Sequence, residues 1–513
     1  MEWNRILVAT ASLAAGCAVG PDYRTPTVPI AGKYDAGPSA PPSTQPSATA
    51  PARPVDLARW WQSLDDPELD SLVRRAVQAN LDLRIALARL QQARAAEYVV
   101  SGGALPLVDF AAGAGRGTGA DSTRGRAPGP LRSGENTKGL NEITHVAGFD
   151  AAWELDLFGR FSRQIEAARA DTQAAAEARN DVLISVIADV ARAYVSERAL
   201  QLRLSVARQN INAQQQTVDL VRKRVRQGMN PQYDVVLAER QLASTRATLA
   251  PLEAAIGQSQ RRIAVLLGQL PQDLYAELSN PGRLPAPPAR IQPGLPPELL
   301  RRRPDVRQAE RDLAASTARI GVATANLFPR VALLGAYGVQ GQGLGRAPVM
   351  NKEIWSFGPT AYWPLLDFGT LDAVLELQDY RTRELLDSYR RSVLLAVEEV
   401  DNAIANYTAE QDRLDQLSIA VSDAQRTVQL ATERYQNGQT SLLDVVDAQR
   451  QLYDLQDQYA LAQEAAIVQF IALYKALGGG WEPHQQVPAI RKPRPAVIAA
   501  GASVLPPDRD EGR

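Results

Sequence analysis

Two stretches of the chain decide its fold: residues 225–242 read VRQGMNPQYDVVLAERQL, and residues 435–452 read YQNGQTSLLDVVDAQRQL. Eight residues of the first stretch recur in the second at a constant offset of 210 positions, beginning with Gly228 and Gly438. The same offset relates Trp153 to Trp363 and Gly268 to Gly478. A constant offset over so long a segment indicates that one structural unit has been duplicated in tandem.

Each repeat contains a long proline-free stretch, at residues 161–227 and 371–437, which we predict to be helical. Apolar residues in these stretches alternate at steps of four and three, which is a heptad pattern; they include Leu183, Ile187, Val190 and Tyr194, then Val393, Val397, Val400, Ile404 and Tyr407. A helix of this size is about 100 Å long at 1.5 Å per residue. It needs partners along its length, and shorter helices predicted at 70–100, 232–268, 304–328 and 441–478 could stack end to end beside it. A solvated coiled-coil rod would give the same pattern.

The predicted strands alternate strictly between apolar and polar residues. In residues 147–157, Phe149 and Trp153 share the apolar face, whereas Asp150 and Glu154 lie on the other face. Residues 355–365 repeat this arrangement, and weaker partner strands are predicted at 105–115 and 329–340. Such alternation over about 10 residues, with aromatic side chains on the apolar face, suits a membrane β-strand. A strand of a soluble sheet is the alternative.

Four membrane strands would leave two open edges in each chain. Unpaired backbone groups in lipid are costly, so membrane sheets close into barrels, and closure needs at least about eight strands. The chain must then assemble symmetrically, as a dimer or a trimer. A trimer would have twelve strands and a matching ring of twelve helical columns.

Composition argues against an enzyme, a cofactor or a metal site. The chain has two histidines and one cysteine, too few for a zinc or Cys/His catalytic centre. The formal net charge is -1, so no overall electrostatic attraction draws the protein to nucleic acid. No apolar run approaches the roughly 20 residues of a transmembrane helix.

The N-terminus is predicted to be a secretory signal peptide, residues 1–16, with a short apolar stretch after Arg5. The segment Leu13-Ala14-Ala15-Gly16-Cys17 resembles a bacterial lipobox, which implies that Cys17 becomes the lipid-bearing mature N-terminus. Ala18, by the same resemblance, favours sorting to the outer membrane. An ordinary signal peptide with an incidental cysteine is the alternative.

These features together resemble the TolC-like outer-membrane efflux proteins, specifically the NodT-like lipoprotein branch. The residues that carry the resemblance include Gly16 to Tyr23, Trp60-Trp61, Arg303-Pro304-Asp305-Val306, Tyr435-x-x-Gly438, and Leu443 to Gln449. The fold it implies is mainly α with membrane β: tandem-duplicated strand and long-helix units form a trimeric 12-stranded outer-membrane β-barrel continuous with a periplasmic α-helical barrel. The expected domains are residues 17–59, a lipid-anchored extended segment; 60–280, the first repeat; 281–480, the second repeat; and 481–513, a disordered tail.

The resemblance also implies a function and partners. We expect the outer-membrane channel component of a tripartite efflux system, a homotrimer in outer-membrane lipid that docks on a periplasmic adaptor and an inner-membrane pump. The pump expected from this branch is a proton-driven antiporter, and an ATP-driven exporter is the alternative. No nucleic acid partner is expected. The alternatives are the outer-membrane duct of a type I secretion system and a lipid-anchored structural coiled-coil protein of the periplasm. The transported substrate cannot be read from the chain, because a wide lumen imposes little chemistry.

The predicted gate lies where long and medium helices meet. Gly228 and Gly438 suit the sharp turns at the helical tips. By resemblance, Leu443, Asp444 and Asp447 form rings at the closed tip, and Tyr435 belongs to a closing latch whose usual arginine is replaced here by Thr440. A helix-start carboxylate is the alternative for Asp444. Asp447 is more distinctive, because its partner in the first repeat is Leu237.

Overall fold

The computed structural model of the chain describes residues 18–29, 56–115, 143–287, 302–343 and 350–482. The predicted signal peptide, Cys17, residues 30–55 of the N-terminal segment and residues 483–513 of the C-terminal tail lie outside these ranges.

Both repeats have the predicted order of helix, two strands, long helix and medium helix. Within the described residues, the first repeat has two helices before the strands and two after the long helix, where the second has one in each place. The first consists of α1 (Pro67–Ala79), α2 (Leu81–Gly102), β1 (Leu107–Gly115), β2 (Ile143–Leu155), α3 (Arg160–Arg226), α4 (Gln232–Arg246) and α5 (Leu249–Leu266). A 3₁₀ helix (Leu57–Leu64) precedes it, and a second (Pro271–Leu274) leads into the short α6 (Tyr275–Leu278). The second repeat consists of α7 (Pro304–Ala325), β3 (Arg330–Gly343), β4 (Met350–Tyr362), α8 (Thr370–Gln436) and α9 (Leu442–Ala476).

The long helices α3 and α8 each have 67 residues, and the heptad residues are their buried side. Leu183, Ile187 and Val400 are fully buried. Two of the shorter helices are less continuous than predicted. The segment 70–100 is broken at Asn80, where ψ is 131° and the side chain caps α2 by accepting from Leu83 N. The segment 232–268 is interrupted at residues 247–248.

The helices form four parallel columns. One column stacks α2 on α4 and α5, the next is α3, the third stacks α7 on α9, and the fourth is α8. In both repeats, a hydrogen bond from a side chain to a backbone carbonyl joins the stacked helices of the column. Asn80 Nδ2 donates to Leu266 O at 2.8 Å, and Arg303 Nη1 donates to Ala476 O at 2.9 Å. The residue just before one helix thereby binds the C-terminal end of the helix stacked on it, which confirms the predicted end-to-end stacking.

A core of aromatic residues lies at the level of these joints, where Trp60 stacks on Tyr474 and Phe470 contacts both Trp60 and Tyr407. Glu197 of α3 is fully buried beside this core. Its Oε1 accepts from Gln201 Nε2 at 3.2 Å and Gln260 Nε2 at 3.1 Å, whereas its Oε2 has no hydrogen-bond partner. Burial raises the pKa of Glu197 to about 7.

This raised pKa predicts a pH-dependent stability. The folded state holds the Glu197 proton more tightly than the unfolded chain, so stability is fully present below about pH 4.5 and is lost as pH rises through 7, by up to about 3 kcal/mol. We expect Glu197→Gln to raise the melting temperature at pH 8 and to flatten its pH dependence between 5 and 8. Thermal unfolding in detergent at several pH values measures both. A wild-type melting temperature that does not change over this range would contradict the prediction.

The four strands form one antiparallel sheet in the order β1-β2-β3-β4. Its aromatic face is open: Trp355 and Phe357 are each 75% exposed, and Phe149 is 54% exposed. At the boundary between sheet and helices, the Trp153 and Trp363 indoles each donate to a backbone carbonyl at 3.0 Å. Such indoles are typical of a membrane–water interface. Across the described residues, β1 and β4 each pair on one side only.

No helix in the described ranges is both long enough and apolar enough to cross a membrane.

Candidate functional site at the helical tip

The long helices end in two matching turns. Gly228 and Gly438 both have φ of 72°, a left-handed conformation that favours glycine. Gly228 N donates to Val225 O and Met229 N donates to Arg224 O, both at 2.9 Å. Gly438 and Gln439 repeat this pair of bonds in the second repeat. The paired bonds are those of a Schellman motif, which ends a helix abruptly and reverses the chain.

Two glycines with similar backbone conformations provide a matched stability test. Gly438 has open space where a Cβ would lie, whereas a Cβ on Gly268 (φ 66°) would meet Ala79 O at 2.6 Å. We expect Gly438→Ala to destabilise the protein by about 1 kcal/mol, from backbone strain alone. Gly268→Ala should lower the melting temperature several times further, because backbone at a helix joint must also move. Equal losses in thermal unfolding would show that the joint tolerates the extra atom.

Side chains from both repeats form one apolar cluster behind these turns. Val235 and Val445, which are repeat equivalents, are both buried in it, as is Tyr435 with 3% exposure. The remaining members are Val218, Val221, Ala238, Leu242, Leu442 and Val446. The tip of α3 and α4 therefore packs directly against the tip of α8 and α9.

Asp444 lies in the first turn of α9 and forms a capping box with Ser441. Its Oδ2 accepts from Ser441 N at 3.1 Å, from Ser441 Oγ at 2.9 Å, and from Thr440 Oγ1. The Thr440 and Ser441 hydroxyls hold the pKa of Asp444 below its ordinary value. The side chain is therefore ionised and fixed in place, and it remains exposed to solvent.

Asp447 and Leu443 lie on the exposed side of the same helix. Asp447 accepts from Arg450 Nη2 and from Gln451 Nε2, each at 2.7 Å. Leu443 is 57% exposed, although its neighbour Leu442 is buried. An apolar side chain and two carboxylates thus share the open surface of one helical tip.

Tyr435 makes contacts that the sequence did not predict. Its hydroxyl accepts from Asn230 Nδ2 at 3.0 Å, and the Arg224 guanidinium lies 4.8 Å from its ring centroid. Arg224 also donates through Nη1 to Tyr435 O at 3.2 Å and through Nε to Asn230 Oδ1 at 3.0 Å. Burial raises the pKa of Tyr435, so the hydroxyl stays protonated. These bonds tie the tip of α3 to the end of α8.

Asn230 connects the two tips because it differs from its repeat equivalent, Thr440. Its Nδ2 also donates to Asp234 Oδ2 at 2.6 Å. Asp234 is the equivalent of Asp444, but it follows Pro231 where the second repeat has Ser441. Since proline has no hydroxyl to offer, the carboxylate binds the amide instead. The difference between Asn230 and its repeat equivalent Thr440 is visible in the sequence, and it could have pointed to Asn230 as a residue of the tip.

The described residues contain no group of three or more His, Cys, Asp or Glu side chains that could hold a metal ion.

Comparison with protein families gives one match that covers most of the chain. The model of the outer membrane efflux protein family matches residues 72–269 and 295–479. These two segments correspond to the two repeats.

Individual proteins agree with this match. Nodulation protein T of Rhizobium leguminosarum bv. trifolii is 32% identical over 471 residues, covering 92% of this chain and 96% of that protein. The pyoverdine export outer membrane protein OpmQ of Pseudomonas putida is 33% identical over 469 residues, covering 89% and 94%. The solved structure of the outer-membrane channel OprN has 37% sequence identity and a TM-score of 0.79, covering 91% of this chain and all of that one.

Proposed function

The chain belongs to the outer membrane efflux protein family, and from this premise we propose that it is the outer-membrane duct of a tripartite efflux system. It conducts small molecules from a periplasmic helical tunnel to the cell exterior and performs no chemistry on them. The observation that carries this proposal is the pairing, in one chain, of a sheet with an exposed aromatic face and two helices of 67 residues. A rod of coiled coils has no use for such a sheet, which argues against the structural alternative.

A homotrimer explains the two unpaired strand edges. β1 of one copy would pair with β4 of the next, so that three sheets close into twelve strands. The same symmetry closes four helical columns per chain into a ring of twelve. Heating a detergent-purified sample before electrophoresis should convert a slow oligomer band into a monomer band. A detergent-independent monomer would contradict this assembly.

We propose lipid attachment at Cys17, just before the first described residue. Val19 N donates to Phe158 O at 3.2 Å, and Arg163 binds Asp22 Oδ1 at 2.7 Å, so residues 19–22 lie at the start of α3. This is the boundary between sheet and helices, where the Trp153 and Trp363 indoles lie. A lipid on Cys17 would therefore enter the inner leaflet of the outer membrane. Mass spectrometry of the mature N-terminus tests the modification.

At the opposite end, the tips would meet a periplasmic adaptor and, through it, an inner-membrane pump, for which a proton-driven antiporter is our proposal. Cysteines placed at 228–232 and 438–442 should crosslink to the adaptor in cells. Co-expressing this gene with a proton-driven or an ATP-driven pump in a host that lacks its own outer-membrane channel would show which kind of pump it serves. We expect the pump to determine the substrate, because a wide lumen imposes little chemistry.

We place the resting gate at the tip, formed by Leu443, Asp444, Asp447 and Tyr435. Three-fold symmetry would bring three copies of Asp444 and three of Asp447 around one axis, with the Leu443 side chains beside them. The capping box shows that Asp444 is a helix-start carboxylate, which is the alternative role expected from the sequence. The gate proposal is supported instead by the exposure of Asp444 and Leu443 at the same tip as Asp447. Crowded carboxylates attract cations, so the closed gate would be cation-selective.

A further inference from the structure

The inner face of the sheet contains a carboxylate without a partner. Asp150 lies in the middle of β2, on the face opposite the exposed aromatic side chains. It is 7% exposed, and neither of its carboxylate oxygens has a hydrogen-bond partner. Burying an ionised carboxylate without a donor or counter-ion is costly. A cation bound beside the carboxylate would offset this cost.

A second carboxylate faces it. Asp109 on β1 is directly opposite Asp150 in the strand register, and the row continues through Ala336 on β3 and Ser356 on β4. Directly opposed residues have Cβ atoms about 4.5–5.5 Å apart, and like charges there destabilise the pair. Asp109 is exposed, so the pair can be reached from the open inner side of the sheet.

The cationic side chains of the described strands lie away from this pair. Gly148, two residues from Asp150 on the same face, pairs with Gly338, and the two backbones approach so closely that a Cβ on Gly148 would lie 2.6 Å from Gly338 Cα. The lysine and arginine of the described strands, Lys352 and Arg330, lie in rows four and six residues away along β4 and β3.

We propose that Asp109 and Asp150 form a cation site on the inner wall of the sheet, which takes a hydrated divalent cation such as Ca²⁺ or Mg²⁺. Carboxylate oxygens and water are the ligands these hard cations prefer, and one divalent ion neutralises both carboxylates. The inference rests on the proposed duct, in which three copies would place three such sites around the lumen. The barrel would then select for cations at a second position along the duct, separate from the gate at the helical tip.

Adding a blocking cation to one side of a planar bilayer at a time distinguishes the site on the sheet from the gate at the helical tip. Protein added to one chamber inserts with its sheet toward the other, because the long helical columns cannot cross. Ca²⁺ in the sheet-side chamber should block wild-type channels. Asp150→Asn and Asp109→Asn should each raise the half-blocking concentration about tenfold and lower the K⁺ over Cl⁻ permeability ratio. Asp150→Glu, which keeps the charge, should retain the block.

Glu353→Gln is the matched control, because Glu353 is an exposed carboxylate on the opposite face of β4. It should leave the sheet-side block unchanged, as should Asp444→Asn at the tip. Binding of Tb³⁺ to the purified protein, followed by its luminescence, tests the site without conduction, and Asp150→Asn should remove that binding. An unchanged block with unchanged Tb³⁺ binding would overturn the site alone. Wild-type protein that forms no channels would contradict the proposed function instead.

Discussion

Channels in which Asp444 and Asp447 are both replaced by alanine are expected to conduct more current than the wild type and to lose divalent block from the tip side. Each chain would remove two carboxylates, so a trimer loses six negative charges at its narrowest point. We expect conductance to rise several-fold and the affinity for divalent cations to fall by about tenfold or more. Single-channel recording with Ca²⁺ in the tip-side chamber measures both quantities.

The capping role of Asp444 makes a control necessary, because alanine there also removes a helix cap. Asp444→Asn keeps a hydrogen-bond acceptor for Ser441 and Thr440 while it removes the charge. If charge at the gate is the cause, Asp444→Asn with Asp447→Asn reproduces the effect. Unchanged conductance and block in the double alanine variant would refute the gate assignment.

The sequence predicts the fold well because its strongest signals are periodic and repeated. The heptad side of the long helices, with Leu183, Ile187 and Val400, is the buried side in the structure. The alternating strand residues, with Phe149 on one face and Asp150 on the other, are arranged as predicted. Both signals depend only on local geometry, and the second repeat provides an independent copy of each.

The breaks in the shorter helices are less visible in the sequence. Asn80 caps the second of the two helices through Oδ1, which accepts from Leu83 N, and its Nδ2 donates to Leu266 O in a distant part of the chain. Such a contact depends on how two columns stack, which local propensity does not encode. The sequence resemblance includes Arg303 in a family motif. It does not predict that the Arg303 guanidinium binds the C-terminal end of another helix.

The tip illustrates the same limit. Replacement of the usual latch arginine by Thr440 suggests a weakened latch when the sequence is read alone. In the structure an arginine from the other repeat, Arg224, lies against Tyr435 instead. Because the cation comes from α3 and the tyrosine from α8, only the packing of the two tips brings them together.

Replacement of Arg224 should therefore open the tip, and Arg224→Met is the variant we expect to show it best, since methionine keeps an apolar stem of similar length. The change removes the bonds from Nη1 to Tyr435 O and Gln436 O, at 3.2 and 3.3 Å, together with the ring contact. Loss of about 2 kcal/mol between the two tips would shift a closed–open equilibrium about thirtyfold toward open. Higher conductance in bilayers, and sensitivity of cells to large antibiotics, measure this shift.

Arg434 provides the matched control for this variant. It is the repeat equivalent of Arg224, at the same helical position one turn before the glycine, but its side chain is exposed to solvent. Arg434→Met removes the same charge from the same end of a long helix. If the tip-to-tip bonds hold the gate, Arg224→Met opens the channel and Arg434→Met leaves it closed. Equal effects of both would assign the change to net charge at the tip, because that is the property the two substitutions share.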